Sequence, residues 1–154
     1  MLLYLVRHGE ATKEVDDAAR GLTERGMREI LAIATYARNR RMMVHAIYHS
    51  GKKRALQTAQ IFAERLEPPK GALESDGLAP LDEPEIWVKR IAWLGDDIML
   101  IGHLPYLSRL AGFLLCGDKE NTHLDFNAGG MACLQRFDDG RWALKWLITP
   151  DLVS

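Results

Sequence analysis

Three short apolar runs, separated by stretches of helical periodicity, limit what this chain can fold into. Leu2–Val6 and Ile98–Ile101 are almost purely apolar, and Val44–Tyr48 is a third strand candidate between them. Runs of this length without polar alternation fit parallel strands covered on both faces. Between the first two, Thr23 is placed to cap a helix reaching about Asn39, with Met27, Ile30, Leu31 and Ala34 as its buried face. Arg38, Arg40 and Arg41 suit the negative end of that helix. A second helix is expected over Lys52–Leu66, with Ala55, Ala59, Phe62, Ala63 and Leu66 inward, stopped by Pro68-Pro69. Gly71–Pro84 reads as a loop with a brief edge strand around Leu73 and Leu78. Glu85–Leu94 reads as a third helix. Pro105 opens a fourth, which carries Leu107, Leu110, Ala111 and Leu114 inward and ends at Gly117.

The pattern changes after that point. Met131–Phe137 and Trp142–Ile148 flank Asp138-Asp139-Gly140, a hairpin signal, and Trp142, Leu144, Trp146 and Ile148 alternate as one apolar face. The expected fold is α/β: a single domain over residues 1–154, with a mainly parallel sheet, helices on both faces and a C-terminal β-hairpin at the edge. A length of 154 residues with 47% hydrophobic and 27% charged residues suits one core. The net charge of -1 gives no electrostatic footprint for nucleic acid. No run reaches membrane-spanning length, and the apolar start is too short for a secretory signal. Cys116 and Cys133 lack metal or redox spacing and read as reduced thiols. A cytoplasmic location with no membrane partner is the resulting expectation.

Each of the three runs ends in polar residues: Arg7-His8-Gly9-Glu10, His49-Ser50-Gly51-Lys52-Lys53-Arg54 and Gly102-His103. Parallel topology brings all three to the carboxyl edge of the sheet, where open α/β sheets bind ligands. The assembled groups are histidines and arginines, which call for no metal ion or other cofactor. A neutral imidazole is a nucleophile, and guanidinium matches paired phosphate oxygens. Phosphoryl transfer needs little beyond positioned positive charge. Arg7 and Arg54 are candidate phosphate clamps. Either His8 or His103 can attack while the other stabilises. Ser50 is a phosphate ligand or a helix cap, and a helix N-terminus beside it would add backbone N–H groups.

The motifs "LVRHGEA", "KRALQTAQIFAE" and "IGHLP" resemble the histidine phosphatase superfamily, which includes the phosphoglycerate mutases. "RGLTERG", "DGLAPLDEP", "GHLPYLSRLAGFLL" and "NAGGMACLQRFDDGRWALKWLITPDL" look like the small phosphohistidine phosphatases of the SixA type. The resemblance implies a phosphoglycerate mutase-like fold, with His8 as the phosphorylated nucleophile. It also implies that Arg7 and Arg54 bind phosphate and that His103 is the second pocket histidine. Gly9 either lets the backbone approach phosphate or makes the turn.

Two departures from the family pattern stand out. Many relatives have Ser-Pro where this chain has Ser50-Gly51, which implies a looser start to the helix. The position where larger relatives carry an acidic general acid falls on Leu78-Ala79-Pro80, leaving Glu74, Asp76 and Asp82 as weak stand-ins. A missing acid costs less with phosphohistidine, whose imidazole can depart neutral, than with a sugar phosphate. The expected activity is thus metal-independent removal of phosphate from a histidine-phosphorylated protein, a phosphotransfer domain or phosphocarrier. The alternatives are a small-molecule phosphomonoesterase and a weakly catalytic phosphate- or phosphoprotein-binding module. Glu10, Lys13, Lys52 and Lys53 read as solvated or steering charges, His49 lies beside the site without a required role, and His45 and His123 lie outside the constellation.

Overall fold

A computed structural model describes residues 1–153. Strand β1 (Leu2–Arg7) leads through a polar loop to helix α1 (Glu24–Asn39). Next come β2 (Ala46–His49), α2 (Lys53–Leu66), the short β3 (Ala72–Glu74), α3 (Glu85–Trp93), β4 (Ile98–Gly102) and α4 (Tyr106–Cys116). The hairpin β5 (Met131–Arg136) and β6 (Trp142–Ile148) follows. One mixed sheet has the order β3-β2-β4-β1-β5-β6. The pairs β1–β4, β2–β4 and β2–β3 are parallel, and β1–β5 and β5–β6 are antiparallel. The expected α/β class and edge hairpin are both present. No described helix is long and apolar enough to cross a membrane.

Pleating sends alternate residues of each strand to opposite faces. Tyr4, Val6, Ile47, Met99 and Ile101 pack under α1 and α2 with Ile30, Ile33, Ala59 and Phe62. Leu3, Leu5, Ile98 and Leu100 pack under α3 and α4 with Trp87, Ile91, Leu107 and Leu110. Helices on both sides explain why β1 and β4 are nearly continuous apolar runs. Each fully buried side chain of the size of Phe62 contributes roughly 1.5–3 kcal/mol.

Three local expectations are corrected. On α1 the buried residues are Gly26, Ile30, Ile33, Ala34 and Ala37, while Met27 and Leu31 are exposed. The inward stripe keeps the expected Ile30 and Ala34 but is completed by Gly26, Ile33 and Ala37, so the buried face is rotated away from Met27 and Leu31. In the hairpin, Cys133 pairs with Trp146 but Leu134 pairs with Leu144, so Lys145 is bulged out. The bulge splits the apolar alternation. Ile148 lies with the α1 side and Trp142 with the α4 side. Finally, Leu78 is fully buried in the loop after β3 rather than part of a strand.

Candidate active site

The carboxyl ends of β2, β4 and β1 are adjacent in the sheet, so the three polar clusters converge. His8 follows β1 directly. Its backbone N–H donates to the carbonyl of Gly102 at 3.0 Å, and its own carbonyl accepts from Gly129 N–H at 3.1 Å. The His8 and His103 rings lie 5.0 Å apart between centroids, tilted by 51°. Both are buried. Arg54 sits in the first turn of α2, and its charge acts on both rings, as does that of Arg20.

His8 Nδ1 is 2.7 Å from the Gly9 carbonyl, which can only accept. That bond keeps the proton on Nδ1 of the neutral ring and leaves the Nε2 lone pair free. Burial lowers the His8 pKa from 6.5 to about 4, and Arg54, Arg7 and Arg20 push in the same direction against the Gly9 bond. Burial likewise takes His103 to about 3, helped by His8, Arg54, Lys52 and Arg20. His103 Nε2 is 2.6 Å from Ser50 Oγ. Arg7 is anchored through Nη1, which donates to the Phe126 carbonyl at 2.8 Å.

Arg7 Nε, Arg54 Nε and His103 Nδ1 are buried without a hydrogen-bond partner among the described residues. Native proteins leave few buried polar groups unsatisfied, and each calls for an explanation. Their concentration here fits a cradle for an anion with several acceptor oxygens. No cluster of potential metal ligands occurs among the described residues.

The remaining candidates are dispersed. Asp82 Oδ2 accepts from Ala79 N–H at 2.9 Å, closing the turn around Pro80. Asp76 pairs with Arg90 at 2.8 Å. Ser50 is not the cap of α2, because Lys52 holds that position without a side-chain bond. Gly51 is not a looser substitute for proline. Its φ of +86° lies in the left-handed region, closed to a proline ring, and an added Cβ would strike the Glu74 carboxylate. Gly9 has no left-handed φ. An added Cβ there would sit 2.7 Å from Ile30 Cγ1, so glycine lets α1 pack against the strand end.

Arg20 escaped the sequence reading. It lies in the polar loop after β1 with φ +52°, and its Nε donates to the Thr12 carbonyl at 3.2 Å. It opens the "RGLTERG" motif, but nothing in that polar stretch marks its side chain as directed at the strand ends.

These shifts predict a pH dependence of stability. Between pH 6.5 and about 4 the unfolded chain binds more protons at His8 than the folded one. The stabilisation from keeping His8 neutral is complete above pH 6.5 and is lost as pH falls towards 4, by on the order of 3 kcal/mol. NMR titration of the ring should show His8 still neutral at pH 5.5. A midpoint near 6.5 would contradict the site's electrostatics.

The sequence model of the histidine phosphatase superfamily (branch 1) matches residues 3–79, which include His8 and Arg54 but not His103. Among curated proteins, no sequence matches. Several solved structures share the fold over essentially the whole chain. The protein histidine phosphatase SixA complexed with tungstate is 22% identical, with a TM-score of 0.87 and full coverage of both chains. A SixA from Agrobacterium tumefaciens, provisionally assigned as a phosphohistidine phosphatase, is 26% identical, with a TM-score of 0.80 and 97% of each chain covered. The alpha-ribazole phosphatase from Shigella flexneri is 18% identical, with a TM-score of 0.81 and 97% of each chain covered. With half of its 154 residues matched by that sequence model, the chain belongs to the histidine phosphatase superfamily.

Proposed function

We propose that this protein is a metal-independent phosphatase that removes phosphate from phosphohistidine on a partner protein. Membership of the superfamily supports the general phosphatase role. One observation carries the mechanism. The 2.7 Å bond from His8 Nδ1 to the Gly9 carbonyl leaves Nε2 of a neutral ring free beside the candidate phosphate-binding arginines.

In the first step, His8 Nε2 attacks phosphorus in line. The P–N bond to the substrate histidine breaks as the new P–N bond to His8 forms. The substrate imidazole, already protonated on its other nitrogen, leaves neutral. In the second step, water attacks the phosphorylated His8, releasing inorganic phosphate and restoring the ring. Arg7, Arg54 and His103 stabilise the charge on the equatorial oxygens in both transition states. Ser50 serves the site through His103, which it holds by the 2.6 Å contact.

The choice of phosphohistidine rests on the engagement of the nearby acids. Asp82 is spent on the Ala79 N–H and Asp76 on Arg90, while Glu74 lies against Gly51. The principal charges acting on both histidines are cationic. Esters lose the roughly 10²–10⁴-fold benefit of protonating an alkoxide, whereas an imidazole leaving group does not need it. The SixA structures share this substrate class by name, although the alpha-ribazole phosphatase shows that the fold also serves a small-molecule phosphatase.

The test compares kcat/KM on a histidine-phosphorylated phosphotransfer domain or phosphocarrier with that on a panel of sugar phosphates. The phosphoprotein should be favoured by about 10²-fold or more. A sugar phosphate turned over faster than every phosphohistidine protein would overturn the substrate assignment and leave the phosphatase intact.

A further inference from the structure

Thr58 is polar, lies in the middle of α2 and is fully buried. Its hydroxyl makes two hydrogen bonds. Thr58 Oγ1 donates to the Arg54 carbonyl at 2.7 Å and accepts from the Gly9 N–H at 3.1 Å. The first is an ordinary helix back-bond to the residue four positions earlier. The second crosses from α2 to the end of β1.

Gly9 therefore has both sides of its backbone engaged. Its N–H is held by Thr58, and its carbonyl accepts from His8 Nδ1. The atoms form one continuous relay: His8 ring, Gly9 backbone, Thr58 hydroxyl, Arg54 backbone. Its two ends are the proposed nucleophile and a proposed phosphate clamp. Valine would fill nearly the same volume without either bond. Packing alone therefore does not account for a hydroxyl at this position.

We propose that Thr58 is a positioning residue, which fixes the Gly9 backbone so that its carbonyl keeps the His8 proton on Nδ1 and which ties that geometry to Arg54. The kinetic part rests on the phosphatase reading above, but the effect on the ring does not. With the Gly9 N–H released, the backbone turns more freely and the His8 bond weakens. The neutral ring then divides between its two tautomers, and the form with a protonated Nε2 cannot attack. Because the Gly9 bond raises the His8 pKa, its weakening also moves the titration of the ring to lower pH.

The experiment uses the full chain with Thr58→Val and Thr58→Ser, each first checked for a cooperative melt. Long-range ¹⁵N–¹H spectra of the His8 ring, taken without substrate, read the tautomer directly. The parent protein and Thr58→Ser should show the Nδ1–H form, and Thr58→Val a mixture with a lowered titration midpoint. With phosphohistidine substrate, Thr58→Val should lower kcat by roughly 10-fold or more with a smaller change in KM, and Thr58→Ser should restore most of it. If Thr58→Val melts earlier but keeps the Nδ1–H tautomer, Thr58 is a packing residue only and the proposal fails. An equal kcat loss in the serine variant would also overturn it. Should Thr58→Val fail to fold, Thr58→Ala supplies the same spectra and the same two outcomes. A changed tautomer in a protein whose parent form lacks phosphatase activity would uphold the positioning role while refuting the phosphatase reading.

Discussion

Replacing His8 by alanine is expected to reduce turnover by roughly 10⁴–10⁶-fold, the scale seen when a covalent nucleophile is removed from a preorganised site. The ring is a poor candidate for a purely structural role. It is buried, held neutral and fixed through Nδ1, which leaves its reactive nitrogen unengaged. Incubation of the parent protein with phosphohistidine substrate, followed by a rapid quench, should trap an acid-labile, base-stable label on His8. The alanine variant should show none, while a cooperative melt checks that it is still folded despite the loss of a buried ring. Undiminished labelling of His8→Ala would move the nucleophile elsewhere, with His103 the first candidate.

Arg54→Met is expected to carry the second-largest effect, a loss in kcat/KM on the order of 10²–10³-fold. Methionine keeps much of the aliphatic stem but removes the guanidinium. Two readouts should move together. Transition-state charge loses one of its donors, and the His8 ring loses a cation that lowers its pKa. The His8 midpoint should therefore rise from about 4 towards its ordinary value. Arg54→Lys should recover part of the electrostatic effect, since the charge remains, but less of the rate, since a point charge lacks the planar fork. Unchanged kcat/KM in Arg54→Met, with an unchanged His8 titration, would remove Arg54 from the proposed site.

The arrangement behind both expectations was largely readable in the sequence, because it depends on strand ends. An apolar run that stops at Arg7-His8 or Gly102-His103 marks the strand and its chemical terminus together. Parallel topology then determines that the termini share an edge. What escaped the reading depends on contacts between distant segments. Met27 and Leu31 satisfy helical periodicity as well as Ile30 and Ala34 do. Only the packing of α1 against the sheet decides between the two overlapping stripes, taking Ile33 and Ala37 inward and leaving Met27 and Leu31 out. The bulge at Lys145 inserts one residue into a sound alternation and sends Trp142 and Trp146 to different faces. Arg20 reaches the site through a left-handed turn in a polar loop, where residue type carries little directional information. Ser50 was legible as a polar residue near the pocket, but its contact with His103 arises only when β2 and β4 pair.

The place of β4 also bears on how the protein is made. β1 and β2 do not touch each other in the sheet, and β4 is inserted between them. On the ribosome, a chain that has emerged only through α2 carries His8 and Arg54 but lacks the strand that sets them side by side. Closure of the centre joins Leu3 to Ile98 and Ala46 to Ile98, pairings of long sequence separation that topology makes slow relative to local helix formation. Nascent or partly folded chains should therefore hold no competent phosphate cradle, and activity should appear in refolding together with β4 insertion rather than with the earlier gain of helix.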